Sequence, residues 1–191
     1  MKIVLASKSP RRKELLSLLY SDFEIITADV DETLPESVHP RDGVMILAER
    51  KGRAVAKRLS PETLVISSDT LVEMDGVALG KPSDSLDAER MLSALSGRSH
   101  NVHTGVCVHY GGKAYIGVDS TRVVFHCLTE KTVKDYVATG EPMDKAGAYG
   151  IQGLGGALVK EYHGDFDTVV GLSVALTKKL IDKALSEDKN D

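Results

Sequence analysis

Two glycine-marked reversals constrain this chain most. Asp75-Gly76 interrupts the apolar run Leu71 to Leu79, and Gly111-Gly112 divides the extended stretch from Asn101 to Leu128. Dipeptides of this kind between apolar segments favour the tight turns that join antiparallel strands. Around these hairpins lie segments with the apolar period of helices. Val44, Leu47, Ala48, Val55 and Leu59 place a long helix at about Asp42 to Leu59. A second helix covers Leu86 to Leu95 and is stopped by Gly97; a third, capped by Thr129, reaches Thr139 and ends at Gly140. Hairpins interleaved with helices argue against a purely parallel sheet, because parallel neighbours need crossover connections. The expectation is an α/β fold with a mixed sheet flanked by helices.

The rest of the chain fits that frame. Lys2 to Ala6 reads as a buried strand, followed by the loop Ser7 to Ser9 and a helix with Ser9 as N-cap, Pro10 at its first position and Leu15, Leu16 and Leu19 on its apolar face. Phe23 to Ala28 reads as a second strand, Asp29 to Pro40 as an acidic loop, and Leu64 to Ser67 as a short buried strand. A glycine-rich loop from Gly147 to Gly156, a strand near Leu158 to Lys160 and a helix near Leu172 to Leu185 complete it. Only the polar tail Ser186 to Asp191 is expected to be disordered. A chain of 191 residues, 42% of them apolar, can bury roughly 70% of its unfolded surface in one domain.

Charge and cysteine usage exclude several function classes. A net charge of -4 and few aromatics disfavour an RNA- or DNA-binding surface, while leaving room for one local basic pocket that prefers small anions. Cys107 and Cys127 lack metal-site spacing and read as small apolar residues in strands, so no disulfide framework is expected and a reducing cytosol fits. The apolar run at the N-terminus is too short for a secretion signal and no run approaches membrane-spanning length. The expectation is a cytoplasmic protein.

Five places could carry chemistry. Ser7-Lys8-Ser9-Pro10-Arg11-Arg12 joins a strand to a helix N-terminus, whose free N–H groups and positive dipole end suit a phosphate. Two arginines there are disfavoured unless an anion is present, although a solvated basic turn accounts for them too. The acidic stretch with Asp29, Asp31 and Glu32 is a solvated loop, one member of which could hold a divalent metal beside a phosphate. Lys51 lies on or beside the apolar stripe of its helix, a position open to a lysine lying along the core edge and to one facing an anion. Ser68-Asp69-Thr70 follows a short apolar strand, where catalytic groups commonly sit, and Asp69 could orient a metal or accept a proton from water. The glycines from Gly140 to Gly156 permit close approach to a ligand, as a mobile surface loop would also explain, and Gln152 among them offers a donor and an acceptor to a nucleobase edge. The six histidines show no zinc spacing and are read as structural.

Taken together, Ala6-Ser7-Lys8-Ser9-Pro10-Arg11-Arg12, Ser68-Asp69-Thr70, Gly80-Lys81-Pro82, Leu95-Ser96-Gly97-Arg98 and the run Gly140 to Gly153 resemble, in order and across nearly the whole chain, the Maf family of nucleotide pyrophosphatases. The resemblance implies a single domain of two lobes around a deep cleft, often a homodimer, that hydrolyses nucleoside triphosphates between the α and β phosphates with a divalent cation, Mg2+ or Mn2+. It implies Asp69 as proton acceptor, with Lys51 and Lys81 also catalytic; Ser7, Arg11 and Arg12 as phosphate ligands; and Glu32 with Asp69 as metal ligands. The subgroup with arginine, threonine and glutamine at the specificity positions, here Arg12, Thr70 and Gln152, prefers dTTP and UTP. Thr168 and Ser173 depart from the family pattern, which often has asparagine before Val-Val-Gly-Leu and proline after it. A regulatory nucleotide-binding module is the competing class, and the retention of every catalytic residue type argues against it.

Overall fold

Both glycine reversals form hairpins in the computed structural model, which describes every residue except Glu36 and Asp188 to Asp191. Asp75 and Gly76 both take positive φ, as do Gly111 and Gly112, which is the requirement of a two-residue turn matched to strand twist. They join β3 (Leu64–Met74) to β4 (Val77–Leu79) and β5 (Ser99–Tyr110) to β6 (Lys113–Phe125). With β1 (Ile3–Leu5), β2 (Glu24–Ile25) and β7 (Val159–His163) these make one seven-stranded sheet in the order β2-β1-β3-β5-β6-β7, with β4 beside the far end of β3. β1 runs parallel to β2 and β3, and every other pairing is antiparallel. The sheet is mixed, as expected.

Among the described residues six α-helices surround it: α1 (Pro10–Ser17), α2 (Pro40–Ala56), α3 (Ser85–Leu95), α4 (Glu130–Ala138), α5 (Phe166–Val170) and α6 (Val174–Glu187). α2 lies so close to β5 that a Cβ at Gly105 would overlap the Val44 carbonyl. On the other face a Cβ at Gly117 of β6 would meet Leu176 of α6. One apolar core joins β1, α1, α6 and the first half of β3 through Leu5, Leu16, Ile66, Leu172 and Ile181. A second joins α3, α4 and the second half of β3 through Val72, Leu92, Leu95, Phe125 and Val137. Each fully buried leucine contributes about 2 kcal/mol of apolar burial, and β3, β5 and β6 run through both cores.

Several boundaries differ from the sequence expectation. β3 does not end at Ser67; it continues through Ser68-Asp69-Thr70 to Met74, because β5 pairs with it from Val65 to Glu73. Asp69 therefore sits in mid-strand between the two cores. The second strand is two residues long. The C-terminal helix is α6, and a short helix that the sequence did not announce, α5, precedes it, with Gly171 at φ +127 between them. The glycine-rich loop contains short 3-10 turns at Ala146–Ala148 and Gly153–Leu158. Cys127 lies exposed beyond β6, not in a strand. Ser186 and Glu187 belong to α6, and the remainder of the expected disordered tail lies outside the described residues.

Candidate active site

A cleft of about 1090 Å3 opens between the two cores, and Ser7, Arg11, Arg12, Glu32, Lys51, Asp69, Thr70, Lys81 and Gln152 all line it. No histidine does. His100 and His103 are buried against Tyr149 and Glu73, and His39 caps α2, in keeping with structural roles.

The start of α1 forms one wall. The Ser9 side chain accepts from the Arg12 N–H and Pro10 opens the helix, so the first turn is preset by local chemistry. No acidic residue occupies that turn, which leaves its positive end unopposed. Arg12 is fixed by its side chain: Nε donates to the Gly171 carbonyl at 2.9 Å, one terminal nitrogen to Thr70 Oγ1 at 3.3 Å and the other to Ser7 Oγ at 3.4 Å. Two of the expected specificity residues are thus in direct contact. Burial lowers the Arg12 pKa, Asp69 opposes that shift, Arg11 adds to it and Glu32 opposes it; a guanidinium remains charged regardless.

The network extends behind Thr70. Its hydroxyl lies 2.9 Å from Thr104 Oγ1, which donates to the Thr168 carbonyl, and Ser68 donates to the same Gly171 carbonyl that Arg12 uses. The two residues that depart from the family pattern have a defined place here. Thr168 and Ser173, both fully buried, donate to one oxygen of Asp119 on β6 at 3.0 and 2.9 Å. The segment Thr168 to Ser173 is therefore strapped to the sheet at both ends while its middle carbonyl holds Arg12. Nothing in the local sequence announced Asp119, beyond a carboxylate in an otherwise weakly polar strand.

On the adjoining wall Lys51 faces the cleft rather than lying along the core edge. Its ammonium lies 2.5 Å from Asp69 Oδ1 and 3.0 Å from Glu32 Oε1. Asp69 and Lys51 are largely buried, whereas Glu32 is 60% exposed. Glu32 and Asp69 thus converge on the Lys51 ammonium with hard oxygen donors. Among the described residues no set of three or more His, Cys, Asp or Glu could hold a metal. Two carboxylates suit Mg2+ or Mn2+, which take one or two protein carboxylates and fill other positions with water and phosphate oxygens. The residues present fit such a cation.

The third wall is the glycine-rich segment. Its Gly147 N–H donates to the Gly80 carbonyl, which joins the turn bearing Lys81 to this wall. Asp144 pairs with Lys145 at 2.7 Å and lies within the electrostatic reach of Arg11 across the cleft. Arg11, Lys81 and the Gln152 carboxamide make no side-chain hydrogen bond or ion pair to any described residue. Glu141 also lines the cleft and binds the loop amides of Leu154 and Gly155; the sequence reading passed over it, the only signal being a carboxylate at the head of a glycine-rich run.

Known proteins match this chain along its length. The family model described as Maf-like protein matches residues 2–184. A protein of Bacillus velezensis named dTTP/UTP pyrophosphatase is 47% identical, with 94% of this chain and 95% of that protein covered. One of the same name from Thermococcus kodakarensis is 46% identical, with coverage of 93% and 94%. Among solved structures, the Mycobacterium abscessus protein titled nucleoside-triphosphatase / dITP/XTP pyrophosphatase covers 100% of this chain and 98% of its own at 14% identity, with a TM-score of 0.46.

Proposed function

This chain belongs to the Maf-like protein family, and on that premise we propose that it is a nucleoside triphosphate pyrophosphatase that cleaves dTTP and UTP to the monophosphate and pyrophosphate. The observation that carries the reading is the single cleft in which a preset arginine, a lysine shared by two carboxylates and an unbonded carboxamide meet.

The roles follow from the chemistry of each group. A triphosphate carries about four negative charges, and charge-assisted hydrogen bonds are its strongest partners. Arg11 and Lys81 bind phosphate oxygens with donors that no described residue otherwise uses. Arg12 and Ser7 bind others from the start of α1, where the helix end already favours an anion. Lys51 orients the Asp69 carboxylate, and Asp69 accepts the proton of the attacking water. Glu32 and Asp69 would hold Mg2+ or Mn2+, which would supply neutralising charge beside the phosphates. Cations along the cleft stabilise the departing pyrophosphate. Gln152 pairs its carboxamide with the carbonyl and N3–H of uracil or thymine, with Thr70 and Arg12 setting how deep the nucleotide sits.

Among the described residues no helix is long and apolar enough to cross a membrane. We place the protein in the cytoplasm, where its nucleotides are made, and propose a homodimer.

The test is turnover of dTTP, UTP, CTP, ATP and GTP with Mg2+ or Mn2+. dTTP and UTP are expected to react fastest and to give monophosphate and pyrophosphate. Orthophosphate with a nucleoside diphosphate would overturn the site of cleavage, and tight binding without turnover would favour a nucleotide sensor.

A further inference from the structure

Gln152 stands on an arch whose two feet are held by one hydrogen-bond network outside the residues assigned above. At the first foot the Gly150 N–H donates to the Tyr136 hydroxyl at 3.3 Å. At the second, the Leu154 N–H donates to Glu141 Oε2 at 3.1 Å and the Gly155 N–H to Glu141 Oε1 at 3.0 Å. The Tyr136 hydroxyl itself donates to Glu141 Oε1 at 3.0 Å, which closes the loop between the feet. The feet also touch, since a Cβ at Gly155 would overlap the Gly150 carbonyl and lie 2.5 Å from the Tyr136 hydroxyl. Gly153, next to Gln152, takes φ +77 against the Glu141 carboxylate.

The anchors are firmer than the arch. Tyr136 is buried in the second core on α4, and Glu141 follows the stop at Gly140 that ends that helix. Burial pushes the Glu141 carboxyl up, but the two loop amides and the Tyr136 hydroxyl outweigh it and hold the group below the usual carboxylate range. Glu141 is thus the charged acceptor for three donors, and hydrogen bonds to charged groups are the stronger kind. The Gln152 carboxamide makes no hydrogen bond to a described residue, so the protein sets where it can reach only through the backbone beneath it. A carboxamide displaced with a loosened arch leaves the base edge unread, and uracil or thymine then loses its advantage over cytosine.

The geometry points to Glu141 and Tyr136 as positioning residues for base selection, which clamp the arch 150–155 so that the Gln152 carboxamide is held within reach of one base edge. This rests on Gln152 reading the base, as proposed above.

The experiment measures kcat/KM for dTTP and CTP in the whole protein and in Glu141→Gln, Tyr136→Phe, Gln152→Ala and the double variant Glu141→Gln/Gln152→Ala, with amide hydrogen exchange at Gly150, Leu154 and Gly155 in the absence of nucleotide. Glu141→Gln replaces one acceptor oxygen by a donor, and the dTTP-to-CTP ratio is expected to fall about tenfold as the Leu154 and Gly155 amides exchange faster. Tyr136→Phe, which keeps the ring in the core, is expected to lower the ratio less. Because the clamp acts through Gln152, the double variant is expected to match Gln152→Ala alone. A wild-type ratio in both clamp variants beside a lost ratio in Gln152→Ala overturns the clamp and leaves base reading by Gln152 standing. A further additive fall in the double variant also overturns it. A wild-type ratio in Gln152→Ala overturns base reading and the clamp with it.

Discussion

Arg12 reaches the cleft through hydrogen bonds to Ser7, Thr70 and the Gly171 carbonyl, whereas the Gln152 side chain reaches it with none among the described residues. The two walls are stabilised in different places. Around Arg12 the Ser7 and Thr70 side chains and the Gly171 carbonyl form a frame that is in place before substrate arrives. On the wall that carries Gln152 the hydrogen bonds go to the backbone on either side of the residue proposed to read the base. The difference follows from the ligand. Phosphate charge is the same in every nucleoside triphosphate, so a preset frame suits all of them. A base edge differs from one nucleotide to the next, and a carboxamide already satisfied by the protein could not read it.

The largest effect is expected where the preset frame meets the reacting water. Asp69→Asn keeps the shape of a residue that is 6% exposed and lets Lys51 retain an oxygen partner, so the fold should persist. Turnover of dTTP should fall by about 10²–10⁴-fold, the usual contribution of a general base. Steady-state kinetics beside a melting curve decide this: near-normal turnover in a folded variant removes Asp69 from the proton-accepting role.

The footing of the base wall should show itself in the dependence of stability on pH. Tyr149, just before the arch, donates or accepts at 2.7 Å with His100 Nε2, and Phe125 packs edge-on against both rings. Burial lowers the His100 pKa from 6.5 to about 4, and its Nδ1 has no partner among the described residues. The unfolded chain therefore takes up a proton below about pH 6.5 that the folded protein refuses until about pH 4. Stability is full above the higher value and falls as pH drops through that window, by about 3 kcal/mol in all. His100→Gln keeps a hydrogen-bonding group beside Tyr149 without a titrating ring. Denaturant unfolding at about pH 7.5 and about pH 4.5 should show a smaller difference in the variant than in the wild type. An equal difference in both proteins would mean that His100 does not drive the acid sensitivity.

The smallest effect tests the strap behind Arg12. Asp119→Ala leaves the buried hydroxyls of Thr168 and Ser173 without their shared acceptor. Stability should fall by about 2 kcal/mol, the range for buried polar groups that lose a partner. The dTTP kcat/KM should fall less than tenfold, because the Gly171 carbonyl still accepts from Ser68 and Arg12. A loss as large as that of Asp69→Asn would show that the phosphate wall depends on its strap much more than its hydrogen bonds imply.

What the chain determined locally was read correctly where the cause is local. Ser9 and Pro10 set the start of α1, and Gly97 and Gly140 mark the stops after α3 and α4. The hairpin turns required positive φ at residues that tolerate it. These features depend on a few neighbouring residues and their dihedral preferences, so they are legible without a fold. The site residues were legible as residue types in motif order, since Ser7 to Arg12, Asp69, Lys81 and Gln152 carry a recognisable pattern.

Tertiary structure decided what those residues touch. Whether Lys51 lies along the core or faces an anion depended on Glu32 and Asp69, which other elements bring to it. That β3 continues through Asp69 was decided by β5, because a strand's length follows from the partner that satisfies its backbone groups. The Gly171 carbonyl meets Arg12 across 159 positions of chain, and Asp119 meets Thr168 and Ser173 only after β6 has paired with β5. Such contacts leave no periodicity or cap in the sequence, since their free energy comes from groups that become neighbours only when the two cores close around the cleft.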